Sequence, residues 1–306
     1  MMSCADPEES EASGGAEQWQ SEPAPEDAPL TPGLYVVATP IGNLGDVTLR
    51  ALAVLRGADL LACEDTRVTS RLLARHGIRK TMTPYHDANA DQARPRLLAQ
   101  LRDGARIALV SDAGTPLISD PGYKLVREAV AAGVAVVPIP GPSSVLAALM
   151  VAGLPTDRFF FVGFLPSRHG QRVRALEEVR GVPATLVVLE STHRLAESLA
   201  DMAAALGPRE AVVARELTKR FEETVRGPLD VLAARYAAAG DPKGEVVVVI
   251  APPSGEAEVV DDATVDAMLA AELVTLRAAD AAALVAQRTG RPRREVYARA
   301  LALRRR

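Results

Sequence analysis

Five short stretches of this chain combine carboxylates, hydroxyls, glycines and arginines at spacings that could do chemistry. The densest is Ser111-Asp-Ala-Gly-Thr-Pro-Leu-Ile-Ser-Asp-Pro-Gly122, where two glycines and two prolines fix a bent path with little bulk. A ligand can approach such a main chain closely. Ser111, Asp112, Thr115, Ser119 and Asp120 add hydroxyls and carboxylates along the same lip. Cys63-Glu-Asp-Thr-Arg67 sets adjacent carboxylates beside an arginine. That set can act on a substrate hydroxyl or hold a phosphate, and it equally suits a plain helix N-terminus, whose dipole favours acids. Ala38–Thr48 occupies the place of a nucleotide-binding turn, but Gly42 and Gly45 lack the G-x-G-x-x-G spacing and no Gly-Lys-Ser/Thr loop occurs. Asp46 or Thr48 would cap the following helix. In Pro138-Ile-Pro-Gly-Pro-Ser-Ser144, Ser143 or Ser144 caps a helix whose N-terminus could also meet a ligand. The fifth stretch, Ala214–Thr224, gathers Arg215, Glu216, Lys219 and Arg220 just after a strand, where a solvated surface is the bland reading.

Other chemistries are poorly served. His76, His86, His169 and His193 are scattered without ligand spacing, and Cys63 has no histidine close in sequence, so neither a metal centre nor a cysteine nucleophile is expected. The last stretch, Arg288–Arg306, holds eight arginines and one acid around Tyr297. It suits contact with a phosphate backbone, although a solvated helix end would look similar.

The elements that must position these residues alternate. Leu34–Ala38, Asp59–Ala62, Ala105–Val110, Val134–Ile139, Leu186–Leu189, Ala211–Ala214 and Val246–Ile250 are apolar and strand-like. Amphipathic stretches lie between them: Thr48–Arg56, Val68–His76, Asp91–Arg102, Tyr123–Ala132, Ser143–Ala152, Arg168–Val179, Thr192–Leu206 and Leu229–Ala239. This predicts an α/β protein with largely parallel sheets, its chemical stretches lying where strands end, as in open α/β folds generally. Four segments are expected: an acidic tail over 1–30, α/β lobes over 31–142 and 143–253, and an arginine-rich helical module over 254–306. The module follows a Pro252-Pro253-Ser254-Gly255 linker and reads as helices over Thr264–Glu272, Ala278–Arg288 and Glu295–Leu303.

The formal net charge of −4 hides an asymmetry. Met1–Leu30 carries eight acids and no Lys or Arg, leaving 35 basic residues against 31 acids in the body. A mildly basic body tolerates a polyanion. The tail has too little apolar content to order itself. It also lacks the basic start and apolar centre of a secretory signal, and its acidity argues against a transit peptide. No apolar run approaches a membrane-spanning length. With two cysteines, Cys4 and Cys63, no disulfide framework is expected, and the expected location is cytoplasmic.

Taken in order, Leu34–Asp46, Cys63–Arg67, Ser111–Gly122, Pro138–Ser144, Gly163-Phe-Leu-Pro166 and Ala214–Lys219 resemble one family closely. It is the bacterial small-subunit rRNA cytidine-2′-O-methyltransferases of the tetrapyrrole methylase-like superfamily, matched from about Gly33 onward. The resemblance implies the two-lobed class III methyltransferase fold with S-adenosyl-L-methionine between the lobes. It further implies a homodimer and methylation of a cytidine ribose in the decoding centre of 16S rRNA within the small ribosomal subunit. Cofactor contacts then fall to Thr39, Pro40, Asp112, Ala113, Gly114, Thr115, Pro116, Ile118, Ser143, Leu189 and Ala214. Where the wider superfamily has Gly-Asp-Pro, this chain has Gly114-Thr115-Pro116, so Asp112 or backbone carbonyls must replace the missing acid. Glu64, Asp65 and Lys219 become candidates for handling the 2′-hydroxyl proton. Arg67, Arg215, Arg220, Arg291, Arg293 and Arg294, with Lys219, become candidates for holding RNA phosphates. A small-molecule methyltransferase of the tetrapyrrole type and a non-catalytic RNA-binding protein are the competing readings.

Overall fold

A computed structural model describes residues 29–253, 262–274, 276–289 and 291–304. The acidic stretch 1–28 with Cys4, the part of the linker over 254–261, and Arg305 and Arg306 lie outside the described residues. The chain divides into two compact units, Met1–Ser143 and Ser144–Arg306.

The first unit alternates strands and helices: β1 (Gly33–Val37), α1 (Leu49–Gly57), β2 (Leu60–Cys63), α2 (Thr66–Arg75), β3 (Met82–Pro84), α3 (Ala90–Arg102), β4 (Arg106–Val110), α4 (Tyr123–Ala131) and β5 (Val136–Ile139). Its sheet runs β3-β2-β4-β1-β5 with every pair parallel. Such a sheet is covered on both faces, so its strands read as nearly continuous apolar runs. The period of two still sorts them. Tyr35, Val37, Leu61, Cys63, Ala108 and Val110 pack with α1 and α2 on one face. Leu34, Ala62, Ile107 and Leu109 pack with α3 and α4 on the other. A fully buried leucine is worth about 1.5–3 kcal/mol, and it is this two-sided burial that holds the strand ends in place. Thr48 caps α1, its hydroxyl accepting the Ala51 amide at 3.1 Å.

The second unit holds α5 (Ser144–Ala152), β6 (Phe159–Phe164), α6 (His169–Val179), β7 (Thr185–Ser191), α7 (Leu195–Leu206), β8 (Glu210–Arg215), β9 (Glu223–Pro228), α8 (Leu229–Ala239) and β10 (Glu245–Ile250). Here the expectation of parallel pairing fails. The order is β6-β7-β10-β8-β9, and only β6–β7 is parallel. Residues 216–222 joining β8 to β9 are too few for a crossover helix, so the pair must turn back on itself. A buried ion pair braces one side of the sheet: Arg172, 2% exposed, donates Nε to Asp201 Oδ2 at 2.6 Å.

Three helices follow, α9 (Asp262–Glu272), α10 (Ala278–Thr289) and α11 (Arg293–Arg304), around a small core of Val265, Leu269, Ala281, Ala282, Val285, Val296 and Ala300. Among the described residues no helix is long and apolar enough to cross a membrane.

Candidate active site

Parallel strands leave their last carbonyls and amides unpaired at one edge, and in the first unit that edge carries the chemistry. Thr39, just past β1, exchanges both backbone hydrogen bonds with Gly114, past β4 (2.8 and 3.0 Å). Its Oγ1 donates to the Ser111 carbonyl at 3.1 Å. Gly114 sits at φ +79°, and an added Cβ would stand 3.3 Å from Ile41, so the bridge favours glycine on both counts. Thr115 Oγ1 donates to the Pro142 carbonyl at 3.2 Å, tying the same turn to the segment after β5. Thr39, Pro40, Gly114 and Pro116 are buried, whereas Ala113 and Ile118 are exposed. Leu117 and Ser119 adopt left-handed φ values of 73° and 64° without being glycine. Conformations of that kind cost of order 1–3 kcal/mol each and cluster at working sites.

The turn after β4 is laced to the turn after β2. Asp112 Oδ1 accepts the Asp65 amide at 2.9 Å. The two carboxylates of the Glu64-Asp65 pair fare differently. Asp65 caps α2 and forms a forked pair with Arg67 (2.6–3.1 Å), which holds its carboxyl down at about 2. Arg67 is itself 86% exposed. Burial, then the charge of Asp112, push the Glu64 carboxyl up. Burial likewise raises Asp112, with the Asp65 charge adding to it. Asp120 rises furthest, to about 6, through burial and the nearby Glu64 charge, although a hydrogen bond from Ser111 opposes the shift. The sequence places Asp120 on the lip without giving it a role in the site. Its signal is proximity to Glu64, a neighbour from a segment far away along the chain.

The other candidate residues lie in the second unit, except Ser143, which ends the first. Leu189 on β7 and Ala214 on β8 are both register partners of Val247 on β10, so they share one row and one face of that sheet. Ser143 immediately precedes α5. Arg215 is committed: Nε and Nη2 donate to Glu223 (3.1 and 3.0 Å) and Nη1 to the Lys243 carbonyl at 3.0 Å. Lys219 Nζ donates to Glu216 (2.8 Å) and Glu245 (3.2 Å). Burial pulls its pKa down, but those carboxylates outweigh burial and hold it above the ordinary lysine value. Arg220 is exposed. In the helical module Arg291 pairs with Asp262 (2.6 Å) and Glu295 (3.5 Å), while Arg293 and Arg294 are exposed at the start of α11.

Residues 33–233 match the tetrapyrrole (corrin/porphyrin) methylases as a family, and residues 259–304 match the RsmI C-terminal HTH domain. The chain is 54% identical to ribosomal RNA small subunit methyltransferase I of Mesorhizobium japonicum, over 90% of this chain and 93% of that protein. It is 47% identical to the protein of the same name from Escherichia coli O157:H7, over 88% and 94%. In fold it is similar to diphthine synthase (TM-score 0.55, 19% identity, 71% of this chain and 89% of that one). It is also similar to uroporphyrin-III C-methyl transferase from Thermus thermophilus complexed with S-adenyl homocysteine (TM-score 0.51, 21% identity, 72% and 97%).

Proposed function

This chain belongs to the ribosomal RNA small subunit methyltransferase I family, and from that premise we propose that it transfers a methyl group from S-adenosyl-L-methionine to small-subunit rRNA. More finely, the proposed acceptor is the 2′-hydroxyl of a cytidine in the decoding centre of 16S rRNA. The observation that carries the reading is the laced sheet edge, where Glu64, Asp112 and Asp120 gather beside a turn built for close backbone approach. Its chemistry fits the cofactor, because sulfonium and ammonium groups are cations and the lip is anionic. When bound, the cofactor supplies an electrophilic methyl carbon on positively charged sulfur.

The chain's own residues have three tasks. The Thr39–Gly114 bridge and the Asp112–Asp65 bond hold the turn so that Asp112, Ala113, Gly114, Thr115, Pro116 and Ile118 present a fixed surface with Thr39 and Pro40. Orientation of this kind can supply roughly 7–11 kcal/mol of a barrier. A carboxylate must then share the 2′-hydroxyl proton, and its efficiency peaks when its pKa nears the working pH. By that criterion Glu64 is the better acceptor, and Asp65, held near 2, is the helix cap and partner of Arg67. Lys219, kept charged by Glu216 and Glu245, serves as a brace and not as a neutral amine. Leu189, Ala214 and Ser143 are proposed as further cofactor contacts from the resemblance. Arg67, Arg215, Arg220, Arg291, Arg293 and Arg294 are proposed RNA contacts on the same footing, with Arg220, Arg293 and Arg294 the exposed ones of the second unit. A homodimer in the cytoplasm completes the reading.

The test is methyl incorporation from labelled cofactor into small ribosomal subunits lacking the modification, followed by mapping of the modified ribose. Glu64→Gln is expected to lower kcat by about 10²–10⁴, while Asp65→Asn, which keeps a good cap, loses far less. Full kcat in Glu64→Gln would remove that carboxylate from the base role.

A further inference from the structure

The loop between β8 and β9 is built more stiffly than a surface connection needs. Glu216 and Thr218 adopt left-handed φ values of 52° and 66°. They are held there from several sides. Glu216 Oε1 accepts both Lys219 Nζ (2.8 Å) and the Glu245 amide (3.1 Å), and Glu222 Oε2 accepts the Thr218 amide at 2.5 Å. Backbone bonds from Lys219 N–H to Glu216 O (2.9 Å) and from Glu222 N–H to Lys219 O (3.2 Å) close the turn, and Leu217, 8% exposed, anchors it. Gly244 supports it from β10's approach: a Cβ there would stand 2.1 Å from Glu216 Oε1.

All this bracing consumes the loop's carboxylates, since Glu223 is likewise taken up by Arg215. Two groups stay outward. Phe221 is 66% exposed, and the Arg220 guanidinium lies 5.6 Å from its ring centre. No ion pair to Arg220 is found among the described residues. An isolated exposed apolar side chain is ordinary, so exposure by itself decides nothing. A rigidly held aromatic face beside an uncommitted cation is different, because it offers a π-surface and a charge in fixed relation. Unpaired RNA bases are taken up on such surfaces, stacking on aromatic rings and arginine planes while arginine meets the adjoining phosphate.

We propose that Arg220 and Phe221 form a stacking platform for one unpaired nucleobase of the RNA substrate, with Lys219 and Glu216 as its positioning residues. The platform rests on the rRNA reading above and deepens it, since it requires single-stranded RNA at this loop. Glu216, Lys219 and Gly244 set the ring's presentation without touching the base.

The experiment uses the full chain and small ribosomal subunits lacking the modification. The chain's one tryptophan is removed by Trp19→Phe, and Phe221→Trp is introduced as a reporter. Stacking predicts that the introduced indole's emission is quenched on adding subunits. Phe221→Ala should raise KM for subunits about 5- to 150-fold, the loss of one stacked base, with KM for the cofactor and the urea midpoint unchanged. Unaltered emission at saturating subunits, or an unchanged KM in Phe221→Ala, overturns the platform while wild-type methylation keeps the rRNA reading intact. A change of sedimenting mass in Phe221→Ala also overturns it, showing the ring to be a protein–protein contact. Absence of methyl transfer by the wild type to any small-subunit RNA would remove both.

Discussion

Asp120→Asn tests whether the sheet-edge carboxylates are held at a cost. Asp120 moves from 3.8 to about 6 on folding, because burial and the Glu64 charge penalise its ionised form. The sign follows from proton uptake. Between those two values the folded chain binds more proton than the unfolded one, so stability falls as pH rises through the interval. It is fully present below about 4 and lost above about 6. At about 1.36 kcal/mol per tenfold change in acidity, the loss would reach about 3 kcal/mol for a fully shielded group. Asp120 is only half-buried, so solvent screening brings the expected value to about 1–2 kcal/mol. Asparagine keeps the shape and cannot ionise. Urea unfolding of wild type and Asp120→Asn from about pH 4 to 8 therefore isolates the effect, since most other groups cancel in the difference. The variant should match or trail the wild type at about pH 4 and exceed it by about 1–2 kcal/mol at about pH 8, with about half of that gain already present near pH 5. Titration in the cluster is shared, so Glu64, relieved of a like charge, should also ionise more readily. A difference that is flat with pH, or a variant less stable at the alkaline end, would refute the reasoning. A stabilised variant that methylates more slowly would fit the familiar exchange of stability for function.

The remaining outcomes concern the second unit. Asp201→Ala leaves Arg172, 2% exposed, without its 2.6 Å partner and should cost about 3 kcal/mol by chemical denaturation. A loss under about 1 kcal/mol would mean that Glu197, 3.7 Å away, and the Ser167 carbonyl suffice. Gly244→Ala should destabilise by about 1–3 kcal/mol, since φ +103° is strained for alanine and its Cβ displaces Glu216. An unaltered melt together with an unaltered KM for subunits would show that the loop needs no such support.

Much of the molecule is legible in its sequence, and what is not has physical causes. Four of the five strands of the first unit declare themselves because a doubly covered parallel sheet needs apolar runs such as Ile107–Val110, whereas the three-residue edge strand β3, Met82–Pro84, is too short to show a pattern. The second sheet departs from the expected pairing because strand direction is not written in hydrophobicity. Strand β9, Glu223–Pro228, carries charges and a glycine and reads as surface, yet it is paired along its whole length with β8. At the site, local capping is readable: Thr48 and Asp65 cap as their residue types suggest. What cannot be read is which of two adjacent carboxylates is spent locally. That depends on Arg67 turning back onto Asp65, and on Asp112, from the turn after another strand, holding the Asp65 amide while its charge acts on Glu64. Arg291 and Arg293 look alike in sequence, but one is drawn onto Asp262 and the other is left in solvent.

The helical module has one more consequence, for how nucleic-acid binding by this chain is measured. Alanine fills much of its core, so apolar burial contributes little, and Arg291 and Arg299 lend cohesion through Asp262 and Asp266. Exposed ion pairs weaken as counterions accumulate, and so does affinity for a polyanion, whose salt slope counts phosphates neutralised. The two decays run in the same direction. A steep slope measured on the whole protein therefore combines released counterions with a loosening of the helices that carry Arg293 and Arg294, and it overstates the number of phosphates held. Following the module's helicity across the same salt series separates the two.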